Sequence, residues 1–226
     1  MATTSFAQNG LVRIAYEIRG EGDQVVVLLH GLLSDRVALR PLADELEESA
    51  RVVTIDLRGH GASSAIHGVQ LQIDDLASDV IAVLDALEIT EPVTIVGLEV
   101  GAMIAQRLQA MASERVGDVV AINYPATIAA DGGLLRAIAD RAYKGQIEPA
   151  VDQWLTLTWG ADWKSSVPKP RIASARRSAG ALHPILMALA DIEVIGQSSI
   201  RVPGGTPFAE EDDLNRALER LREALG

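Results

Sequence analysis

The stretch Val93-Thr94-Ile95-Val96-Gly97-Leu98-Glu99-Val100-Gly101-Ala102-Met103-Ile104 constrains the fold of this chain more than any other. A β-branched apolar run gives way to Gly-x-Glu-x-Gly and then to apolar residues at helical spacing, which reads as a strand, a very tight turn and a helix. Gly97 and Gly101 flank the turn because strand and helix backbones nearly collide there. The residue between them, Glu99, is expected in a strained conformation with its side chain projecting from the turn.

Other segments extend the pattern. Leu11 to Ile18 and Val25 to Leu29 are β-like runs, and Gly20-Glu21-Gly22-Asp23 between them predicts a hairpin. Val52 to Ile55, Val93 to Val96 and Val119 to Ile122 are further short apolar runs, with helical patterns between them. Ile73, Leu76, Val80, Leu84 and Leu87 share one helix face, and Asp74, Asp75 and Asp79 sit near its start, where the helix dipole favours acids. Apolar strands alternating with amphipathic helices predict an α/β fold, a mostly parallel sheet with helices on both faces. In such sheets ligands gather at the C-terminal ends of the strands, where the Glu99 turn lies.

The chain is divided into a core part at 1–125, a helical lid at 126–195 and a C-terminal core segment at 196–226. The lid carries Trp154, Trp159 and Trp163, with Pro168 and Pro170 as interruptions; the last segment ends in a helix from about Asp213 to Leu225. A chain of 226 residues with 48% hydrophobic and 23% charged residues is an ordinary globular one. A net charge of −11 argues against nucleic acid and anionic membrane surfaces as partners. The absence of cysteine excludes disulfides and thiolate catalysis. Met1 to Gly10 has no apolar signal region and no apolar run is long enough to span a membrane, so a cytoplasmic location is expected. No His/Asp/Glu spacing predicts a metal, and no glycine loop predicts a phosphate-bearing cofactor.

His30-Gly31 follows one strand, Asp56-Leu57-Arg58-Gly59-His60-Gly61-Ala62-Ser63 follows the next, and Gly97 to Gly101 forms the tight turn after a third. In this order the three resemble the α/β-hydrolase superfamily, with its D-x-R-G-H-G-x-S loop and nucleophile elbow. The likeness is close from Leu11 to Ala126, looser through the lid, and returns in the last helix. It implies an oxyanion hole made by the backbone N–H groups of Leu32 and Val100. It also exposes departures. Glu99 stands in the serine's place, Thr206 where the histidine is expected and Asn123 where some members carry the acid; no histidine follows His183. Ile200 to Pro203 resembles the entry to the acid-bearing strand, and what would follow is shortened, so the C-terminal half is truncated relative to the family. A Ser-His-acid mechanism needs all three groups, so ordinary serine-esterase activity is not expected.

Three roles stay open for Glu99. It acts as a general acid or base on a small apolar or carbonyl-containing molecule held in the oxyanion hole, supporting isomerisation, cyclisation, elimination or C–C cleavage. It attacks as a carboxylate nucleophile. Or it fills the oxyanion hole of a catalytically silent binding or scaffold protein. Pocket candidates are His30, Tyr124, Trp154, Trp159, Trp163 and His183, each with a packing alternative. His30 and His60 read mainly as loop-orienting residues, His183 as a helix-start residue and Asp35 as a helix cap. Lys164, Lys169, Arg171, Arg176 and Arg177 read as a solvated basic helix face, with an anionic substrate as the second reading. A shortened sheet edge favours pairing with a second copy of the chain.

Overall fold

The computed structural model describes residues 3–67, 70–123, 131–190, 207–208 and 211–225. Among these, β1 (Ser5–Asn9), β2 (Val12–Arg19), β3 (Val25–Leu29), β4 (Arg51–Ile55), β5 (Val93–Leu98) and β6 (Val116–Ile122) form one sheet, ordered β1-β2-β4-β3-β5-β6. The helices are α1 (Arg40–Leu46), α2 (Ile73–Ala86), α3 (Val100–Met111), α4 (Gly132–Tyr143), α5 (Ile147–Trp159), α6 (Trp163–Ser166), α7 (Lys169–Arg177), α8 (Leu182–Leu189) and α9 (Glu211–Leu225). β4, β3, β5 and β6 run parallel, while β1 and β2 form an antiparallel margin.

Alternation along the parallel strands feeds two cores, as burial on both faces requires. Val27, Leu29, Val53, Ile55 and Ile95 face α2, α3 and the helical segment. Val26, Leu28, Val52, Val96, Val120 and Ile122 share a second core with residues of α1 and α9 and with Phe208. Leu218 and Leu221 of α9 complete this second core beside β6.

The hairpin predicted between β2 and β3 does not form. β4 lies between them, with Val53 opposite Ile18 of β2 and Val27 of β3. The Gly20–Asp23 turn presses instead on the loop entering β4: a Cβ on Gly20, at φ +70°, would lie 2.1 Å from the Ala50 carbonyl oxygen. That turn therefore steps over an incoming strand. The hairpin that exists joins β1 to β2, with Ala7 opposite Ile14. β1 is absent from the sequence reading because Phe6 and Ala7 are its only apolar residues.

In α2, Asp74 and Asp75 occupy the first turn, and Asp75 accepts the Gln72 N–H at 2.8 Å. Asp79 lies further in and is buried. Rather than answering the helix dipole, it takes two hydrogen bonds from Arg58 (2.7 and 2.8 Å) and one from Asn9 (2.8 Å). These tie the loop after β4 and the first hairpin to α2.

Helices α4 to α8 form the helical segment. α4 packs on α5 and α8, and Trp154, Leu155, Leu182, Ile185, Leu186 and Leu189 join its interior to the sheet's first core. β6 is the last strand among the described residues. Ile200 to Pro203 and Thr206, on which the expectation of a shortened C-terminal half rests, lie outside the described residues, as does Tyr124. No described helix is long and apolar enough to cross a membrane.

Candidate active site

Glu99 sits between β5 and α3 at φ 54°, ψ −114°, a conformation that side-chain-bearing residues rarely adopt. Its backbone is pinned on both sides: its N–H donates to the Ile122 carbonyl at 2.8 Å, and its carbonyl accepts the Ala102 N–H at 3.0 Å. The flanking glycines are demanded by close approach. A Cβ on Gly97 would lie 2.4 Å from Ala102 backbone atoms, and one on Gly101 2.4 Å from the Leu29 carbonyl oxygen. The side chain is turned inward, with the residue only 3% exposed. It lies over Gly31, and Oε2 is buried with no hydrogen-bond partner. Burial pushes the Glu99 pKa from 4.5 up to about 8, against a downward pull from the Arg171 charge.

Gly31 begins a turn closed by the Ser34 N–H donating to its carbonyl at 3.2 Å. The two histidines near this turn are fully committed. His30 Nε2 accepts the Leu57 N–H at 3.0 Å while Nδ1 bonds the Gly31 carbonyl at 2.8 Å. His60 Nε2 accepts the Leu33 N–H at 3.1 Å while Nδ1 bonds the Arg58 carbonyl at 3.1 Å. An amide can only donate, so each Nε2 carries the lone pair and each Nδ1 the proton. Burial pushes the pKa of His30 down to about 4 and of His60 to about 3. Both rings are neutral clamps on the loop. The Leu32 and Val100 N–H groups, the two expected oxyanion donors, have no acceptor among the described residues.

Arg171 belongs to the run expected first as a solvated basic face and second as a contact for an anionic substrate. It is not on a solvated face: its side chain is 16% exposed, and its guanidinium lies 5.5 Å from the centre of the Trp159 ring. It donates to Ser34 Oγ at 3.1 Å and to Asp35 Oδ1 at 3.5 Å, while its Nε is buried without a partner. Asp35 caps the short helix Arg36–Leu39 through the Val37 N–H at 3.1 Å and also accepts the Ser174 hydroxyl. Burial alone would raise the Asp35 carboxyl, yet Ser174 and Arg171 outweigh it and hold its pKa below the usual 3.8. A usable signal existed in the sequence: Arg171, Ser174, Ala175 and Ser178 recur at helical spacing, a small polar stripe inside a basic run, and Ser174, Ala175 and Ser178 are buried.

The remaining candidates fall into two groups. Trp154, Trp159 and Trp163 are all buried in the first core, and the Trp159 ring lies against the Arg171 guanidinium. His183 is engaged by the helical segment: its Nδ1 bonds the Ala139 carbonyl at 3.0 Å, and its ring lies 5.0 Å from that of Tyr143. No group of three or more His, Asp or Glu among the described residues is placed to hold a metal.

The family model described as alpha/beta hydrolase fold matches residues 24–166, and the chain belongs to this family. It is 34% identical over 116 residues to human "Epoxide hydrolase 4", a match covering 50% of this chain and 32% of that protein. It is 28% identical over 187 residues to "3-oxoadipate enol-lactonase 2" of Acinetobacter baylyi, covering 81% of this chain and 69% of the relative. The chain thus spans about a third of the first relative and about two thirds of the second. Among solved structures, the enol-lactonase from Burkholderia xenovorans LB400 superposes with a TM-score of 0.70 at 22% identity, over 94% of this chain and 87% of that one, a likeness of fold.

Proposed function

We propose that the chain is an α/β-hydrolase-fold enzyme without the family's serine chemistry, in which Glu99 transfers a proton to or from a small carbonyl-type substrate. The substrate oxygen accepts from the Leu32 and Val100 amides, and no covalent intermediate forms. One observation carries the reading: a carboxyl group on a strained elbow is buried with Oε2 unpartnered. A buried polar atom without a partner costs about 1–3 kcal/mol, so its retention calls for a use. With a pKa of about 8, the group is mostly protonated at neutral pH and ready to donate, and it can return as a base after giving up its proton. The same protonation disfavours Glu99 as a nucleophile. An ester formed there would also need a base to release it, and His30 and His60 are occupied.

A silent binding protein is the second reading, favoured by the contact of the Glu99 carboxyl with Gly31, which places the acid against the oxyanion turn itself. Hydrogen–deuterium exchange next to the carbonyl of small ketones and lactones, followed by NMR, separates the two. Wild-type protein should accelerate exchange, and Glu99→Gln should lose roughly 10²–10⁴-fold, the usual worth of a general acid or base. Equal exchange in the two proteins removes Glu99 from catalysis and leaves the silent reading.

A further inference from the structure

The environment of Arg171 narrows the substrate class, an inference that rests on the Glu99 reading for its place in a reaction but not for its binding chemistry. We propose that Arg171 anchors a carboxylate on the substrate, so that the site takes short oxo acids rather than neutral carbonyl compounds. The Gly31–Ser34 turn joins the two side chains: Glu99 lies on Gly31 at one end and Arg171 donates to Ser34 Oγ at the other. Each leaves one polar atom buried and unpartnered, Oε2 of Glu99 and Nε of Arg171. The second is a donor that no described residue answers, and a ligand carboxylate supplies an acceptor of the matching sign.

Around the turn Arg171 is opposed by a single acid, which is already shared with other donors. Asp35 is the acid bonded to Arg171, and its oxygens already serve Ser174 and the Val37 N–H. Arg36 is held by Asp56 and Glu17 and does not draw on Asp35. His30 and His60 are neutral and Glu99 carries its proton at neutral pH, so none of these three adds negative charge against an incoming carboxylate. α7 itself, Lys-Pro-Arg-Ile-Ala-Ser-Ala-Arg-Arg, has four cations and no acid, a locally positive element in a chain of net charge −11. The Trp159 ring beside the guanidinium excludes water and strengthens the attraction.

The test compares 4-oxopentanoate with 4-oxopentanamide, probes of the same shape with and without charge, by calorimetry. Wild-type protein should bind the acid at least about tenfold more tightly than the amide. Arg171→Gln should abolish that preference while amide binding persists, and Arg171→Lys should keep part of it. Glu99→Gln should keep it whole, because selection by charge resides in Arg171. Equal or tighter binding of the amide by wild type, or no binding of either probe at tens of millimolar, overturns the proposal, and neither result depends on a variant folding. A charge preference without Glu99-dependent exchange leaves the anchor standing and defeats the catalytic reading; exchange without the preference does the reverse.

Discussion

The Glu99 carboxyl rests on the α-carbon of Gly31, so near that a Cβ at residue 31 would lie 2.5 Å from Oε2 and 2.9 Å from Cδ. The contact follows from strand register. β3 and β5 are adjacent and parallel with Leu29 opposite Gly97, so the residues two places beyond each meet over the strand ends. Gly31 is glycine because the acid occupies the space of a side chain.

A methyl group at position 31 should therefore conflict with Glu99 and with little else. Gly31→Ala is expected to cost roughly 1–3 kcal/mol in urea unfolding, the usual range for overpacking. In a Glu99→Ala background most of that cost should disappear, giving a coupling of about 0.5–3 kcal/mol in the double-mutant cycle. Identical costs in both backgrounds would mean that the methyl meets some other part of the turn.

The Glu99 carboxyl should lower stability as pH rises from 4.5 to about 8, a contribution that sets the net slope above about 6.5, where His30 and His60 no longer oppose it. Its pKa is higher in the folded state, so over this window the folded chain holds a proton that the unfolded chain has released. The stabilisation is complete below 4.5 and is lost as pH passes about 8, by a few kcal/mol on the order-of-magnitude scale of such a shift. Glu99→Gln should flatten this limb and gain most over wild type on the alkaline side. Parallel pH profiles for the two proteins would show that Glu99 does not titrate in the window.

His30 and His60 set the opposite limb. Their folded pKa values, about 4 and about 3, lie below the ordinary 6.5, so below 6.5 the unfolded chain binds protons that the folded chain refuses. Stability drops as pH falls, with a limiting slope of about 2.7 kcal/mol per pH unit for two protons. NMR of the folded protein should find both imidazoles unchanged as pH falls from 6.5 toward 4. Titration of either ring near 6.5 would remove its role as a neutral clamp.

The legible parts of this molecule are those whose physics is local. Strand and helix periods, the elbow glycines and the Asp35 cap each act within a few residues, and all can be read along the chain. The Gly20–Asp23 turn misled because nothing within it announces that β4, some thirty residues later, comes between the two strands. The burial of Arg171 was illegible for a related reason. A cation among cations reads as surface, and its partners Ser34 and Asp35 lie 137 and 136 residues away. The glycines at 97 and 101 also say less about chemistry than their motif suggests. Backbone collisions at 2.4 Å would require both even if Glu99 were inert.

Asp35 links the elbow to the helical segment electrostatically, which gives one more expectation. Its carboxylate offsets the Arg171 charge, and that charge is what pulls the Glu99 pKa down. Asp35→Asn preserves the side chain's shape and an acceptor for the Val37 N–H, but leaves Arg171 uncompensated. An unbalanced guanidinium beside Glu99 favours the carboxylate, so the Glu99 pKa should fall from about 8. The pH at which the wild-type profile stops declining should then move to lower pH in the variant, and the move should vanish in Asp35→Asn combined with Glu99→Gln. Superimposable profiles for wild type and Asp35→Asn would mean that Arg171 and Glu99 do not sense each other, and that the turn between them carries no electrostatic coupling.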